Sequence, residues 1–112
     1  MQIAERAAGN VKVLDLSGQI TFTDGDQQFK DKVNSLVHQG HTHILVNLAN
    51  VTHVDSAGLG ELVGAYTTVT KAGGSMKLVN LTKRLHDLLT ITKLLTIFDT
   101  FDSEQDALKH FT

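Results

Sequence analysis

Leu45-Val46-Asn47-Leu48-Ala49-Asn50-Val51-Thr52-His53-Val54-Asp55-Ser56-Ala57-Gly58-Leu59-Gly60 is the stretch on which the fold turns. Its first part continues His43-Ile44 into a run of β-branched and leucine residues, the pattern of a strand covered on both faces. After Leu48 the residues turn polar, which predicts a short loop ending at Asp55-Ser56. From Ser56, Leu59, Leu62, Val63, Tyr66 and Val69 keep helical spacing until Ala72-Gly73-Gly74. The stretch therefore predicts a strand delivering an Asp-Ser pair to a helix N-terminus. Free backbone N–H groups and the positive end of the helix dipole favour negative charge there.

Toward the C-terminus, Ser75–Leu81 reads as another buried strand, and Thr82 can cap a helix carrying Leu85, Leu88 and Leu89 on one face. Ile97–Phe101 reads as a short strand. Ser103-Glu104-Gln105-Asp106 then has capping-box spacing before Ala107, Leu108 and Phe111. Toward the N-terminus, Gly9-Asn10 separates strand candidates at Gln2–Ala7 and Val11–Leu16, a hairpin signature. Thr23-Asp24-Gly25-Asp26 offers capping residues for a helix with Phe29, Val33, Leu36 and Val37 on one face, ending near Gly40.

The expected order is ββαβαβαβα. Strand-helix-strand units of this length require parallel pairing, so the fold class is α/β, a mostly parallel central sheet with an N-terminal antiparallel hairpin. Functional groups in such sheets gather outside the carboxyl ends of the strands, where Asp55-Ser56 falls.

Composition narrows the function. The chain has 112 residues, 41% of them hydrophobic, enough for one domain spanning 1–112. Its net charge of −2 and lack of a Lys/Arg-rich face argue against nucleic acid as a partner. With no cysteine, disulfides and thiolate metal sites are excluded. No run has the length of a membrane span, and Gln2, Glu5 and Arg6 do not suit a signal peptide, so a cytoplasmic protein is expected. His38, His41 and His43 are close in sequence but cross a helix end, a turn and a strand start without a matching carboxylate; solvated turn histidines are expected, and no metal or other cofactor.

Enzyme chemistry finds little support. A hydrolase elbow needs Gly-x-Ser-x-Gly, and Val54 stands at its first glycine. His53 and Asp55 flank Ser56, but neighbours in a strand-loop segment point apart. Gly58-Leu59-Gly60 lacks the third glycine of a dinucleotide fingerprint, Val63 taking its place. Gly60 and Gly64 are expected to let the helix pack closely on the sheet. Gly58 in a first helical turn costs helix propensity, which suits a close backbone approach by a partner or loop geometry equally.

Two readings of Ser56 stand on the residues alone: an ordinary helix cap, the commoner case, and a phosphoacceptor. Phosphate adds about −1.5 to −2 charge at a place where helix N–H groups tolerate it. Against a partner carboxylate about 5 Å away, at an effective dielectric near 20, the repulsion is about 3 kcal/mol per charge pair, over a hundredfold in affinity. Asp55 would repel the same phosphate from within the chain.

The order of elements, Ser17-Gly18-Gln19-Ile20, the strand ending in Leu48, Val54-Asp55-Ser56-Ala57-Gly58-Leu59-Gly60 and Lys77-Leu78-Val79-Asn80 after a Gly-Gly turn together resemble the STAS domain family, in particular its stand-alone anti-sigma-factor antagonists. The resemblance covers nearly the whole chain. It implies a non-enzymatic module that binds an anti-sigma factor which is also a GHKL-type serine kinase. It implies Ser56 as phosphoacceptor, release on phosphorylation and resetting by a PP2C-like phosphatase. Asp55, Ser56, Gly58, Leu59 and Gly60 would form the contact surface. The chain departs from the family at Ile20-Thr21-Phe22, where an acidic residue is common, at Ala57, where a second Ser or Thr often stands, and at Glu61, where an apolar residue is common. Alternatives are a small nucleotide-binding or hydrolytic protein, and a scaffold subunit of a stress-sensing complex.

Overall fold

A computed structural model describes residues 1–111. The elements run β1 (Gln2–Ala8), β2 (Val11–Ile20), α1 (Asp26–His38), β3 (His43–Val54), α2 (Ser56–Lys71), β4 (Ser75–Val79), α3 (Lys83–Ile91), β5 (Asp99–Phe101) and α4 (Glu104–Lys109). The five strands form one sheet in the order β1-β2-β3-β4-β5. The β1–β2 hairpin is antiparallel and the other three pairings are parallel. The expected ββαβαβαβα architecture is observed.

Each strand lies beside its predecessor, so right-handed crossovers place every crossover helix on the same face of the sheet. Phe29, Val33 and Leu36 of α1, Leu59, Leu62 and Val69 of α2, and Leu85 and Leu89 of α3 accordingly meet Leu14, Leu16, Ile44, Val46, Leu48 and Leu78 in one buried cluster. α4 follows the last strand and covers the opposite face, where Val11, Val13, Leu45 and Val79 pack with Ala107 and Phe111. Alternate residues of β3 thus enter different cores. That is why His43–Leu48 is apolar almost throughout.

Beyond the small second core the sheet is held by polar groups. Arg6 of β1 donates through Nε and Nη2 to Asp15 of β2 (2.6 and 3.0 Å) and through Nη2 to Glu104 of α4 (2.6 Å). Asn47 donates to the same Asp15 (2.8 Å). The guanidinium, with help from Asn47, holds the Asp15 carboxyl below the usual carboxylate range, against a smaller opposing effect of burial.

Three local expectations are corrected. Residues Ala49–Val54 are strand, not loop: β2 continues to Ile20 and pairs with β3 as far as Ile20↔Val54. Register shifts between Asp15 and Ser17 and between Gly18 and Gln19 insert extra residues into β3, which breaks the apolar alternation that marks a strand. Helix α1 is capped by Gly25 (φ 90°) with no side-chain bond; Thr23 and Asp24 do not serve, and Asp24 instead accepts from the amino group of Met1 (2.8 Å). Gly60 and Gly64 do not pack on the sheet: a Cβ at either would meet open space. The close approach belongs to Gly58.

Candidate functional site

At the carboxyl edge of the sheet, β3 meets α2. Asp55, extended at φ −98° and ψ −173°, is the N-cap residue, and its Oδ1 accepts from the N–H of Gly58 (2.9 Å). Its Oδ2 accepts from the N–H of Phe22 (3.0 Å), in the connection between β2 and α1. One carboxylate thereby ties the first turn of α2 to a neighbouring loop. The N–H of Asp55 reaches back to the carbonyl of Ile20 (3.4 Å), and its carbonyl accepts from Leu59 (2.9 Å). The Phe22 and Gly58 N–H groups hold the Asp55 carboxyl below the usual carboxylate range.

The cap is therefore Asp55 and not Ser56, which corrects the ordinary-cap reading of the serine. Ser56 is the first helical residue and is exposed. Among the described residues its hydroxyl makes no hydrogen bond within the chain. Asp and Ser are both strong capping types, and adjacency alone does not say which of two such residues turns its side chain back to the third helical N–H.

Gly58 is buried because the carbonyl of Ile20 lies where its side chain would be: an added Cβ would stand 1.8 Å from that oxygen and 3.0 Å from Val54 Cγ1. Its departure from helix propensity is explained by the chain's own backbone. Leu59 is 8% exposed and points into the core. Of the expected contact residues, Asp55, Ser56 and Gly60 are exposed, whereas Gly58 and Leu59 set the corner from beneath.

Sequence reasoning missed Phe22. It is 77% exposed, and it sits on a tight turn closed by Thr21 N–H to Asp24 carbonyl (2.7 Å) and Asp24 N–H to Thr21 carbonyl (3.1 Å). The Asp55 contact then fixes this turn beside the serine. An aromatic residue just before the Asp24-Gly25 pair was the available signal.

The arrangement offers no hydrolytic relay. His53 Nε2 faces Arg84 Nη1 (3.3 Å), and the Asp55 carboxylate is taken by backbone N–H groups. Neither is hydrogen-bonded to the Ser56 hydroxyl. Among the described residues no group of three or more His, Asp or Glu side chains is placed to hold a metal ion, and no helix is long and apolar enough to cross a membrane.

Comparison with known proteins agrees with this architecture. The STAS domain family matches residues 2–107, and the chain belongs to that family. The anti-sigma F factor antagonist of Paenibacillus polymyxa is 28% identical over 108 residues, covering 96% of this chain and 92% of that protein. The anti-sigma-B factor antagonist of Bacillus subtilis is 43% identical over 70 residues, 62% of this chain and 63% of that protein. The anti-sigma factor antagonist SpoIIAA has the same fold in its unphosphorylated form (TM-score 0.74, 20% identity, 96% of both chains). The phosphorylated form of SpoIIAA from Bacillus matches equally (TM-score 0.75, 18% identity, 99% of this chain and 100% of that one). Anti-sigma factor antagonists are regulatory, non-enzymatic proteins, in agreement with the expectation from the sequence.

Proposed function

We propose that this chain is an anti-sigma-factor antagonist whose binding of a serine-kinase anti-sigma factor is switched by phosphorylation of Ser56. The observation that carries the reading is the free, exposed hydroxyl of Ser56 at the start of α2, beside a cap residue that already bonds the Gly58 N–H. A group held in that way can be modified without removing a bond on which the fold depends. The relatives, antagonists of anti-sigma factors, supply the class of partner.

The physical argument is electrostatic. Unmodified, the corner presents Ser56 and Gly60 on rigid secondary structure, with Phe22 alongside. Phosphate places up to two negative charges and three acceptor oxygens on a surface that already carries the Asp55 carboxylate. A partner shaped around the neutral hydroxyl loses close packing and meets like charge wherever its own surface is acidic. One such pair at about 5 Å corresponds to over a hundredfold in affinity. The helix N-terminus tolerates the added charge, so the domain persists and only the partner is released. A PP2C-like phosphatase would restore the binding form, and the cycle belongs in the cytoplasm.

The test is incubation with a serine-kinase anti-sigma factor and ATP, followed by peptide mass spectrometry and calorimetric binding. Modification is expected at Ser56. Ser56→Ala is expected to bind constitutively, and Ser56→Asp to bind at least about tenfold more weakly with nearly unchanged melting. Phosphate on another residue, or equal affinity of both variants, overturns the proposal.

A further inference from the structure

Strand β4 leaves the sheet before β3 does. Its last ladder pair with β3 is Asn47↔Val79. Asn80 then turns the chain away in the left-handed conformation (φ 60°), its side-chain amide donating to Asn47 Oδ1 (3.2 Å). Asparagine adopts that conformation more readily than other side chains because its short amide bonds locally. β3 meanwhile runs on to Val54, paired only with β2. Along residues 48–54 no described strand or isolated bridge fills the second side. This is roughly 23 Å of strand edge without a ladder partner, its Ala49 N–H bonded to Asn47 Oδ1 (3.2 Å).

Helix α3 stands across from that edge, leaving a groove of ≈ 610 Å³. Val51, Val54, Leu85, Leu88 and Ile91 give it apolar walls. Ile91 is 78% exposed, an unusual placement for a large aliphatic side chain at the end of a short helix. At the rim, Arg84 has no carboxylate partner among the described residues, and its Nη1 bridges to His53 Nε2 (3.3 Å).

We propose that the free edge of β3 accepts a short extended segment of a partner protein as an added strand. The segment sets an aliphatic side chain against Leu88 and Ile91 and gives a carboxylate to Arg84. The edge supplies main-chain donors and acceptors that a helix, whose own groups are internally bonded, cannot match. A carboxylate gives the guanidinium a charge-assisted, two-bond partner in place of a single imidazole nitrogen. The two register shifts in β3 make the edge irregular, which discourages pairing with long flat strands and favours a short added segment. Binding at this edge does not require Ser56 to be modified.

A library of random heptapeptides displayed on phage, selected on the folded domain, tests this. Enriched sequences are expected to lack proline, alternate aliphatic residues and carry Asp or Glu. With a synthetic enriched peptide, amide shifts in an isotope-labelled sample should fall on residues 49–54 and Arg84. N-methylation of one edge-facing peptide amide should weaken binding about tenfold, the worth of one main-chain hydrogen bond. Arg84→Glu and Ile91→Gln, both at exposed positions, should each weaken it by a similar factor without lowering the melting temperature. No enrichment, enrichment of helically spaced sequences, or indifference to N-methylation overturns the proposal. So do concentration-dependent shifts at 49–54 without peptide, which would make a second copy the occupant.

Discussion

Replacing Gly58 with alanine adds one carbon at a place where the backbone of β2 already stands. The new Cβ would lie 1.8 Å from the Ile20 carbonyl oxygen and 2.8 Å from its carbon, and real contacts of this kind begin near 3.0 Å. The oxygen cannot retreat alone, because it accepts from Asp55 N–H, and Ile20 is fully buried. Overpacking against backbone costs about 3 kcal/mol. Alanine recovers about 1 kcal/mol of helix propensity, so the net loss is about 2 kcal/mol, or roughly 8 °C of melting temperature for a domain of this size. Gly60→Ala, two residues on and facing open space, gains the propensity without the clash and should melt roughly 2–4 °C higher. Thermal and urea denaturation of the two variants side by side reads the sign directly. A Gly58→Ala protein as stable as Gly60→Ala would refute the close approach and with it the corner geometry.

Other expectations rest on single contacts. Because the folded Asp55 carboxyl is held below its ordinary value, its contribution is complete above the unfolded carboxylate range near pH 4 and is lost as pH falls through the lower folded value. The protection of the Phe22 and Gly58 amides, taken relative to the intrinsic exchange rate at each pH, should therefore fall on acidification. In Asp55→Asn, which keeps a capping oxygen for Gly58 but turns an NH2 toward Phe22, the Phe22 amide should lack that protection at every pH. Arg6→Ala should lower stability by about 1 kcal/mol, modest because the guanidinium is partly solvated, and should raise hydrogen exchange in residues 104–109 first. Phe22→Ala should leave melting unchanged while weakening partner binding about tenfold or more; equal affinity would remove Phe22 from the contact face.

Periodicity and punctuation in the sequence carry most of the architecture. Phe29, Val33 and Leu36 lie on one helical face, and Leu59, Leu62 and Val69 on another, and those are the faces that pack. Thr82 and Ser103 cap the helices they were expected to cap, accepting from Leu85 and Asp106. These features are local, decided within one turn of chain, and so are written in adjacent residues. The location of the corner at Asp55-Ser56 was legible for the same reason.

What the sequence left open depended on segments remote along the chain. Asp55 became the cap because its second oxygen also meets Phe22, 33 residues away, and Ser56 was thereby left free. Gly58, not Gly60 or Gly64, proved indispensable because Ile20 approaches from another strand. The polar end of β3 is strand because β2 runs beside it, and a backbone hydrogen-bond partner outweighs weak local propensity. Composition and spacing by themselves determined which elements exist and in what order; only tertiary packing decided which hydroxyl, edge and ring face outward, since exposure belongs to the neighbours and not to the residue.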